Sequence, residues 1–458
     1  MKIKGKKLVI IGLSRSGEAA ARLALNAQAR VFVSEISDTD IMRRKALILR
    51  KQGIAVELGR HCVTFLEEAD LLITSPGVKN NSLPILWAKR HKVAIISEIE
   101  FAGRFCTTPV AAITGSNGKT TVTTLLGKIV KASGRKTVVC GNIGIPFSRE
   151  VFRCNRADNV ILELSSFQLQ YTDSFSPRVS VVLNITQNHF DHHRSMREYS
   201  RAKCNLVARQ GAGDFAILNF SDKRVRGFSA KTKAKILFFS RRKKGFLCDP
   251  KNCFAACWLE GGNVVGHWKG VPQTFFPVDG LRHLAGMHNV ENAMAAVLAA
   301  KAMGIGKEVY LPVLKRFRGI EHRCEPVAVK NGVAFVNDSK STTVDATEKA
   351  LLMFADRSVI LICGGRNKGS DFRVLKELVR RKVYLLVCIG EAQKEIQAVL
   401  GRGMRTVVPR TLEKAVAVAY RRARPGTTVL LSPMCASFDM FDNYEHRGKV
   451  FKSIVKEL

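Results

Sequence analysis

Between Ile113 and Thr121 the chain reads Ile113-Thr114-Gly115-Ser116-Asn117-Gly118-Lys119-Thr120-Thr121. Glycines at this spacing let backbone N–H groups turn toward one point, and a helix N-terminus behind them adds positive potential. A lysine followed by a hydroxyl residue completes a cradle for phosphate oxygens. The chemistry is nucleotide binding: Lys119 reaches the β- and γ-phosphates, and Thr120 is placed to coordinate Mg²⁺. The run is two residues shorter than the usual G-x-x-x-x-G-K-[ST], because Gly115 and Gly118 frame only Ser116 and Asn117. A flexible strand-to-helix turn is the bland alternative. The apolar run Val110–Thr114 before the loop and the helical pattern Val122–Lys131 after it favour ATP.

Metal ligands for such a nucleotide belong at the carboxyl ends of neighbouring strands. Glu163 lies near the end of Val160-Ile161-Leu162-Glu163-Leu164, where a carboxylate is costly unless paired or coordinated. A metal ligand is therefore favoured over structural burial. After the next apolar run comes Asn184-Ile185-Thr186-Gln187-Asn188-His189-Phe190-Asp191-His192-His193. His192 and His193 read as surface residues, and His189 as functional. Near the N-terminus, Gly12-Leu13-Ser14-Arg15-Ser16-Gly17 also follows a strand-like run and opens a helix. Alone, that glycine spacing is a weak ligand signal.

The elements that must position these residues alternate between short β-branched runs and helix-length segments, the pattern of parallel α/β sheets. The first block has runs at Lys7–Ile11, Arg30–Ser34, Leu71–Ser75 and Val93–Ser97. The second has Val110–Thr114, Val160–Leu164 and Val179–Asn184, then a strand-like stretch over Leu247–Phe276 that reads as a small antiparallel excursion. An alanine-rich helix follows over Asn289–Met303. The third block has Val333–Asn337, Val359–Cys363, Val383–Ile389 and Thr428–Ser432, separated by helical segments such as Asp345–Phe354 and Leu412–Arg424. At roughly 100–200 residues per domain, 458 residues allow two to four domains. Boundaries near Thr107 and Arg318, each after a helical stretch and before a new strand, give three, over 1–106, 107–318 and 319–458.

Composition narrows the class. The chain is 46% hydrophobic, which argues against disorder, and its formal charge of +36 first suggests nucleic acid or an anionic surface. The local peak, Lys223–Lys244, holds ten Lys/Arg and no acidic residue. Phe228, Phe238 and Phe239 inside it form no known stacking motif, and no zinc-finger, zipper or RRM signature appears. The stretch reads as a solvated basic face, and no specific nucleic-acid partner is expected. Met1–Lys7 is basic, but the apolar run Leu8–Ile11 stops at Gly12, so no signal-peptide core is read there. No stretch approaches the ~18 apolar residues of a membrane span. The twelve cysteines are scattered, and Cys248, Cys253 and Cys257 lack a paired zinc spacing. A cytoplasmic chain without membrane insertion, and a monomer, is the expectation.

The Thr114–Thr121 loop, the segment Leu162–Leu169 and the N-x4-H-x-D segment from Asn184 together resemble the Mur ligases, the ATP-dependent amino-acid ligases of peptidoglycan precursor synthesis. The third block adds Glu321-His322-Arg323, Asn337-Asp338-Ser339-Lys340-Ser341-Thr342, Gly364-Gly365-Arg366-Asn367-Lys368 and Leu431–Asp439. These are similar to the branch that adds D-glutamate. The D-Y-A-H and D-N-P-R signatures of the branch that adds the third residue are missing.

The resemblance implies a Rossmann-like N-terminal domain for the UDP-sugar, a central ATPase with a mostly parallel sheet, and a Rossmann-like C-terminal domain for the amino acid. It implies UDP-N-acetylmuramoyl-L-alanine and D-glutamate as substrates, with ATP and Mg²⁺. The carboxylate would be activated as an acyl phosphate, then attacked by the amine through a tetrahedral intermediate, with ADP and phosphate released. Gly115, Ser116, Asn117, Gly118, Lys119, Thr120 and Thr121 would cradle ATP, with Asn289 and Asn292 near adenine and Arg323 and Asp338 as further nucleotide contacts. Thr120, Glu163, His189 and Lys203 match the metal neighbourhood, and Lys119, His189 and Lys203 the catalytic group. Lys203 matches a lysine carbamylated in the family; from its own surroundings it reads as a surface lysine. Arg15, Ser16, Glu35, Ser75, Gly77 and Asn142 match UDP-substrate contacts. Lys340, Thr342, Lys368, Ser437, Phe438 and Tyr444 match the D-glutamate neighbourhood; bland readings are helix caps for Thr342 and Ser437 and exposed lysines for Lys340 and Lys368. Two departures stand out. Many family members carry an acidic residue just before the metal histidine, where this chain has Asn188; and Ile36-Ser37 replaces a more polar pair.

Overall fold

A computed structural model of the chain describes residues 3–186, 195–243, 253–281, 286–367 and 369–458. Strand Lys7–Ile11 is buried along its whole length. It lies in an all-parallel five-stranded sheet, in the order Ala55–Leu58, Arg30–Glu35, Lys7–Ile11, Leu71–Thr74, Ala94–Ser97. Strand order reverses between Lys7–Ile11 and Leu71–Thr74, and parallel sheets take ligands at such a switch point. Gly12 and Ser75 stand there: Ser75 Oγ donates to the Gly12 carbonyl at 3.3 Å.

The second sheet has nine strands. Its parallel part runs Thr137–Gly141, Asn159–Glu163, Val110–Thr114, Val179–Val182, Phe215–Asn219, Lys235–Ser240, Ala255–Glu260, and is closed by antiparallel Asn263–Trp268 and Val271–Pro277. The expected antiparallel excursion is thus present, and it ends one residue beyond the expected span. The strand Lys235–Ser240 was hidden inside the basic peak. Its Ile236, Phe238 and Phe239 are core, and Phe228 is buried beside them, while the described lysines and arginines from Lys223 to Lys243 are exposed. These phenylalanines pack the interior and leave the cations to solvent.

Helix Met287–Ala302 packs on helix Lys119–Ala132. Its buried run Ala293–Ala300 is mostly alanine, and short side chains let two helix backbones approach closely. The helix after the phosphate loop starts at Lys119, three residues earlier than the apolar periodicity suggests, because the buried Thr120 and Thr121 belong to its first turn.

Contacts divide the chain into two units, Met1–Phe317 and Arg318–Leu458. The second unit holds a six-stranded sheet in the order Glu325–Lys330, Val333–Asn337, Thr428–Leu431, Val359–Gly364, Val383–Ile389, Thr406–Val407; only the first of these runs antiparallel. Both faces of its central strands are buried, so Val359–Gly364 reads as one apolar run without alternation.

One buried carboxyl in the first unit has a measurable consequence. Glu98 accepts from the Ser148 backbone N–H at 2.6 Å, and its Oε2 has no hydrogen-bond partner among the described residues. Burial raises its pKa, against the weaker opposing effect of the Ser148 bonds. A folded-state pKa above the unfolded one makes the native state bind the proton more tightly, so this group's contribution declines as pH rises from the ordinary carboxylate range to the raised value. Glu98→Gln is expected to flatten that part of the stability-versus-pH curve in urea titrations. An unchanged curve would sink the assignment.

Candidate active site

The site is built at the carboxyl ends of three adjacent parallel strands. Val110–Thr114 lies between Asn159–Glu163 and Val179–Val182, with Ile113 opposite Glu163 and Thr114 opposite Val182. The phosphate loop therefore starts with a carboxylate strand on one side and the Asn184 segment on the other. Asn184 frames the loop: its carbonyl accepts from Ser116 N at 2.8 Å, its Oδ1 accepts from Asn117 N at 2.8 Å, and its Nδ2 donates to the Asn117 carbonyl at 3.2 Å. Ser116 Oγ pairs with Tyr199 OH at 2.9 Å and accepts from Thr186 N at 3.0 Å.

Gly118 is needed on two counts. Its φ is +83°, and a Cβ there would stand 2.3 Å from Asn292 Oδ1. Asn292, in turn bonded to Asn289 Oδ1 at 3.1 Å, is therefore seated against the phosphate loop itself. The resemblance had placed this pair only in the vicinity of adenine.

Two lysines converge on one carbonyl. Lys119 Nζ donates to the Gly115 and Ser116 carbonyls at 2.9 and 3.0 Å, and Lys203 Nζ donates to Gly115 O at 3.0 Å and approaches Thr114 Oγ1 at 3.3 Å. Lys203 is 1% exposed, so its reading as a surface lysine is corrected. Residues Met196–Ala208 form a helix whose inward face includes Tyr199, Ala202, Lys203 and Leu206, a spacing of three and four that brings Lys203 inside. Burial, and then the charge of Lys119, hold the Lys203 amine well below its usual pKa; Glu163 opposes them.

Glu163 is 2% exposed. Its Oε1 accepts from Asn142 Nδ2 at 2.7 Å, and its Oε2 has no hydrogen-bond partner among the described residues. Asn142 N also donates to the Glu163 carbonyl at 2.8 Å. This approach requires Gly141, where φ is +105° and a Cβ would meet that carbonyl at 2.5 Å. Asn142, matched to the sugar substrate, is thus also the partner that orients the carboxylate. A buried carboxylate oxygen left open beside a phosphate loop suits a divalent cation, which would satisfy it. Thr120 is buried in the first turn of the adjoining helix. His189 and its neighbours lie outside the described residues.

At the first sheet's switch point, Glu35 has both oxygens engaged by backbone, from Leu13 N at 2.6 Å and Ser37 N at 2.8 Å. It shapes the Gly12–Gly17 loop from within. Arg15 reaches the Gly144 carbonyl at 3.2 Å, which joins this loop to the Asn142 turn. Ser16 lies in the first turn of the following helix, Arg15–Asn26, Ser75 is buried, and Gly77 turns with φ +96°.

In the second unit the matched residues fall on loops knit together by hydrogen bonds. Asp338 accepts from Cys324 N at 3.0 Å, Ser432 Oγ at 2.8 Å and Ser341 Oγ, and burial raises its pKa despite these donors. Arg323 is exposed. Lys340 lies with its Nζ 5.7 Å from the centre of the Tyr444 ring, Ser437 is buried and Phe438 is exposed. Thr342 is no helix cap: Thr343 caps the helix Val344–Leu351 by accepting from Ala346 N. Lys368 lies outside the described residues. Sequence reasoning missed Arg447, one turn into the helix Tyr444–Glu457 and 1% exposed. Its guanidinium donates to Ser339 Oγ at 3.0 Å, Ser339 O at 2.9 Å and Cys435 O at 3.3 Å, and so ties the Lys340 loop to the Ser437 loop. Burial lowers its pKa to about 10. The only signal was an arginine on the apolar spacing of that helix.

A phosphate loop and a buried carboxylate at the carboxyl edge of a mostly parallel sheet define a nucleotide-binding α/β protein. Comparison with known proteins narrows this. Residues 6–97 match the Mur ligase MurD-like N-terminal domain, 113–300 the Mur ligase middle domain, and 322–435 the Mur ligase glutamate ligase domain. The UDP-N-acetylmuramoylalanine–D-glutamate ligase of Pelotomaculum thermopropionicum is 41% identical over 99% of this chain and 98% of its own, and that of Geotalea uraniireducens is 41% identical over 100% and 99%. Among solved structures, a pseudomurein peptide ligase type C from Methanothermus fervidus superposes with a TM-score of 0.55 at 20% identity, covering 99% of this chain and 100% of its own. The UDP-N-acetylmuramate–alanine ligase of Thermotoga maritima gives 0.54 at 18%, covering 98% and 99%. The chain belongs to the Mur ligases, a family of ATP-dependent ligases, and has that family's three-domain α/β fold.

Proposed function

We propose that this chain joins D-glutamate to UDP-N-acetylmuramoyl-L-alanine with cleavage of ATP to ADP and phosphate, in the cytoplasm. The observation that carries the reaction type is the open Oε2 of Glu163 beside a phosphate loop on which Lys119 and Lys203 converge. The choice of substrates rests on the full-length relatives.

A carboxylate is a poor electrophile at neutral pH, so amide formation needs a phosphoryl group placed on it first. Gly115–Thr121 hold the nucleotide's phosphates, and Lys119 turns from its own loop carbonyls to the transferred phosphoryl oxygens. Glu163 and Thr120, with His189, would hold Mg²⁺, which when bound offsets the phosphate charge. Asn142 keeps Glu163 oriented while its loop, with Arg15, Ser16, Ser75 and Gly77, faces the UDP-sugar. The depressed pKa of Lys203 favours its neutral amine, the form that carbamylation requires, and the modified side chain would be an anion suited to a metal. Lys340, Thr342, Lys368, Ser437, Phe438 and Tyr444 form the D-glutamate neighbourhood, and Asn289, Asn292, Arg323 and Asp338 the remaining nucleotide contacts.

The test is phosphate release with ATP, Mg²⁺ and UDP-N-acetylmuramoyl-L-alanine, comparing D-glutamate with L-lysine and L-alanine. Release with D-glutamate alone is expected. Release only with L-lysine overturns the substrate assignment and leaves the phosphoryl chemistry standing.

A further inference from the structure

Helix Asp40–Lys51 is anchored inward by Ala46 and Leu49, and at its N-terminus by Thr39, which accepts from Met42 N. Its outward face breaks the usual rule for a surface helix, where polar residues oppose the core stripe. Ile41, Leu47 and Ile48 are 66%, 55% and 50% exposed. Residues 41, 44, 48 and 51 follow a spacing of three and four, so Ile41, Arg44, Ile48 and Lys51 form one outward stripe, with Leu47 along its edge.

The helix carries five basic residues, and its one acid is Asp40 in the first turn. Three of the cations are engaged within the chain: Arg43 on Asp38 at 2.7 Å, Lys45 on Glu18 at 3.1 Å, and Arg50 on the Val56 carbonyl at 2.7 Å. Arg44 and Lys51 are exposed and enter no ion pair among the described residues. The outward stripe therefore combines large aliphatic groups with uncommitted positive charge.

We propose that this stripe docks the protein, peripherally and reversibly, on an anionic lipid surface. Aliphatic side chains flanked by Lys and Arg are the composition that lies in a headgroup layer, with the apolar groups inserted and the cations on lipid phosphates. The chain's net charge of +36 draws the whole molecule toward such a surface, and the chemistry of a ligase acting on small anions leaves most of that charge unused. A second copy of the chain is disfavoured as the occupant, because a two-fold interface through the stripe would gather Arg44 and Lys51 of both copies, four uncommitted cations, into one patch.

The test is co-sedimentation of the full chain with vesicles of phosphatidylcholine alone or mixed with phosphatidylglycerol, at physiological salt. Binding to the mixed vesicles only is expected. The triple variant Ile41→Ser/Leu47→Ser/Ile48→Ser keeps the net charge and should lose at least tenfold in partitioning, with an unchanged circular-dichroism melt. If that variant does not fold, Arg44→Gln/Lys51→Gln takes its place, with the same expected loss. Equal binding by the folded variant and the unsubstituted chain overturns the proposal, since net charge alone would then suffice. So does equal binding to phosphatidylcholine, or an absence of binding to the mixed vesicles. Loss of binding to an acidic polypeptide such as polyglutamate, with vesicle binding unaffected, assigns the stripe to a protein partner and also overturns it.

Discussion

Replacing Lys119 with alanine is expected to lower turnover by about a hundredfold to a thousandfold or more, the scale for losing one preorganised contact to developing charge. Its Nζ lies on the Gly115 and Ser116 carbonyls, next to where backbone N–H groups gather. No other side chain of the loop carries a positive charge. Glu163→Gln should give a loss of similar size by a different route. Glutamine keeps the shape and can still accept from Asn142, but it removes the negative charge whose Oε2 stands open. Both variants should melt near the parent temperature, because the strands beneath them are held by Val110, Ala112, Val160 and Leu162 in the core. The two differ in magnesium dependence: Glu163→Gln should need a higher concentration for half-maximal rate, and Lys119→Ala should not. Retained turnover in either would falsify the phosphate and metal assignments.

Arg447→Met should separate stability from chemistry in the second unit. The substitution preserves much of the side-chain volume but leaves the Ser339 and Cys435 carbonyls without this donor. A buried acceptor left unsatisfied costs about 1–3 kcal/mol. Relief from burying a charge offsets part of that, so a net loss of about 2 kcal/mol is expected in denaturant unfolding of the second unit. Because the same bonds join the Lys340 loop to the Ser437 loop, KM for D-glutamate should rise about tenfold, a shift of ~1.4 kcal/mol. KM for ATP should stay unchanged. A variant with parental stability and parental KM for D-glutamate would show that the guanidinium does not set those loops.

The fold was largely legible because parallel strands buried on both faces read as unbroken apolar runs. Lys7–Ile11, Val110–Thr114, Val333–Asn337 and Val383–Ile389 have the observed limits of their strands. Lys235–Ser240 escaped notice because its neighbours on both sides are basic, and charge density masked a six-residue core strand. Within the candidate site, the phosphate loop and Glu163 were legible for a related reason. Glycines, a lysine and a carboxylate next to apolar runs are locally unusual, and a local pattern suffices to find them.

Contacts over long sequence separations were not legible. Lys203 is 88 residues from the carbonyl it shares with Lys119, and its own segment, Tyr199-Ser200-Arg201-Ala202-Lys203, is polar enough to pass for surface. Arg447 is 108 residues from Ser339. Glu35 stands at a strand end where an acidic residue can serve a ligand, yet its two oxygens hold the backbone of Leu13 and Ser37.

By itself the sequence determined the alternating α/β architecture, the nucleotide loop and a carboxylate at the end of an apolar strand, because each depends on residue types within about ten positions of one another; that the loop and Glu163 stand side by side comes from the pairing of strands 50 residues apart. Only the tertiary structure decided which lysine is buried, which oxygen of Glu163 is open, and which arginine joins two loops. Those properties depend on desolvation and hydrogen-bond partners that packing supplies, and burial moves a side chain's charge equilibrium in ways its neighbours in sequence do not encode.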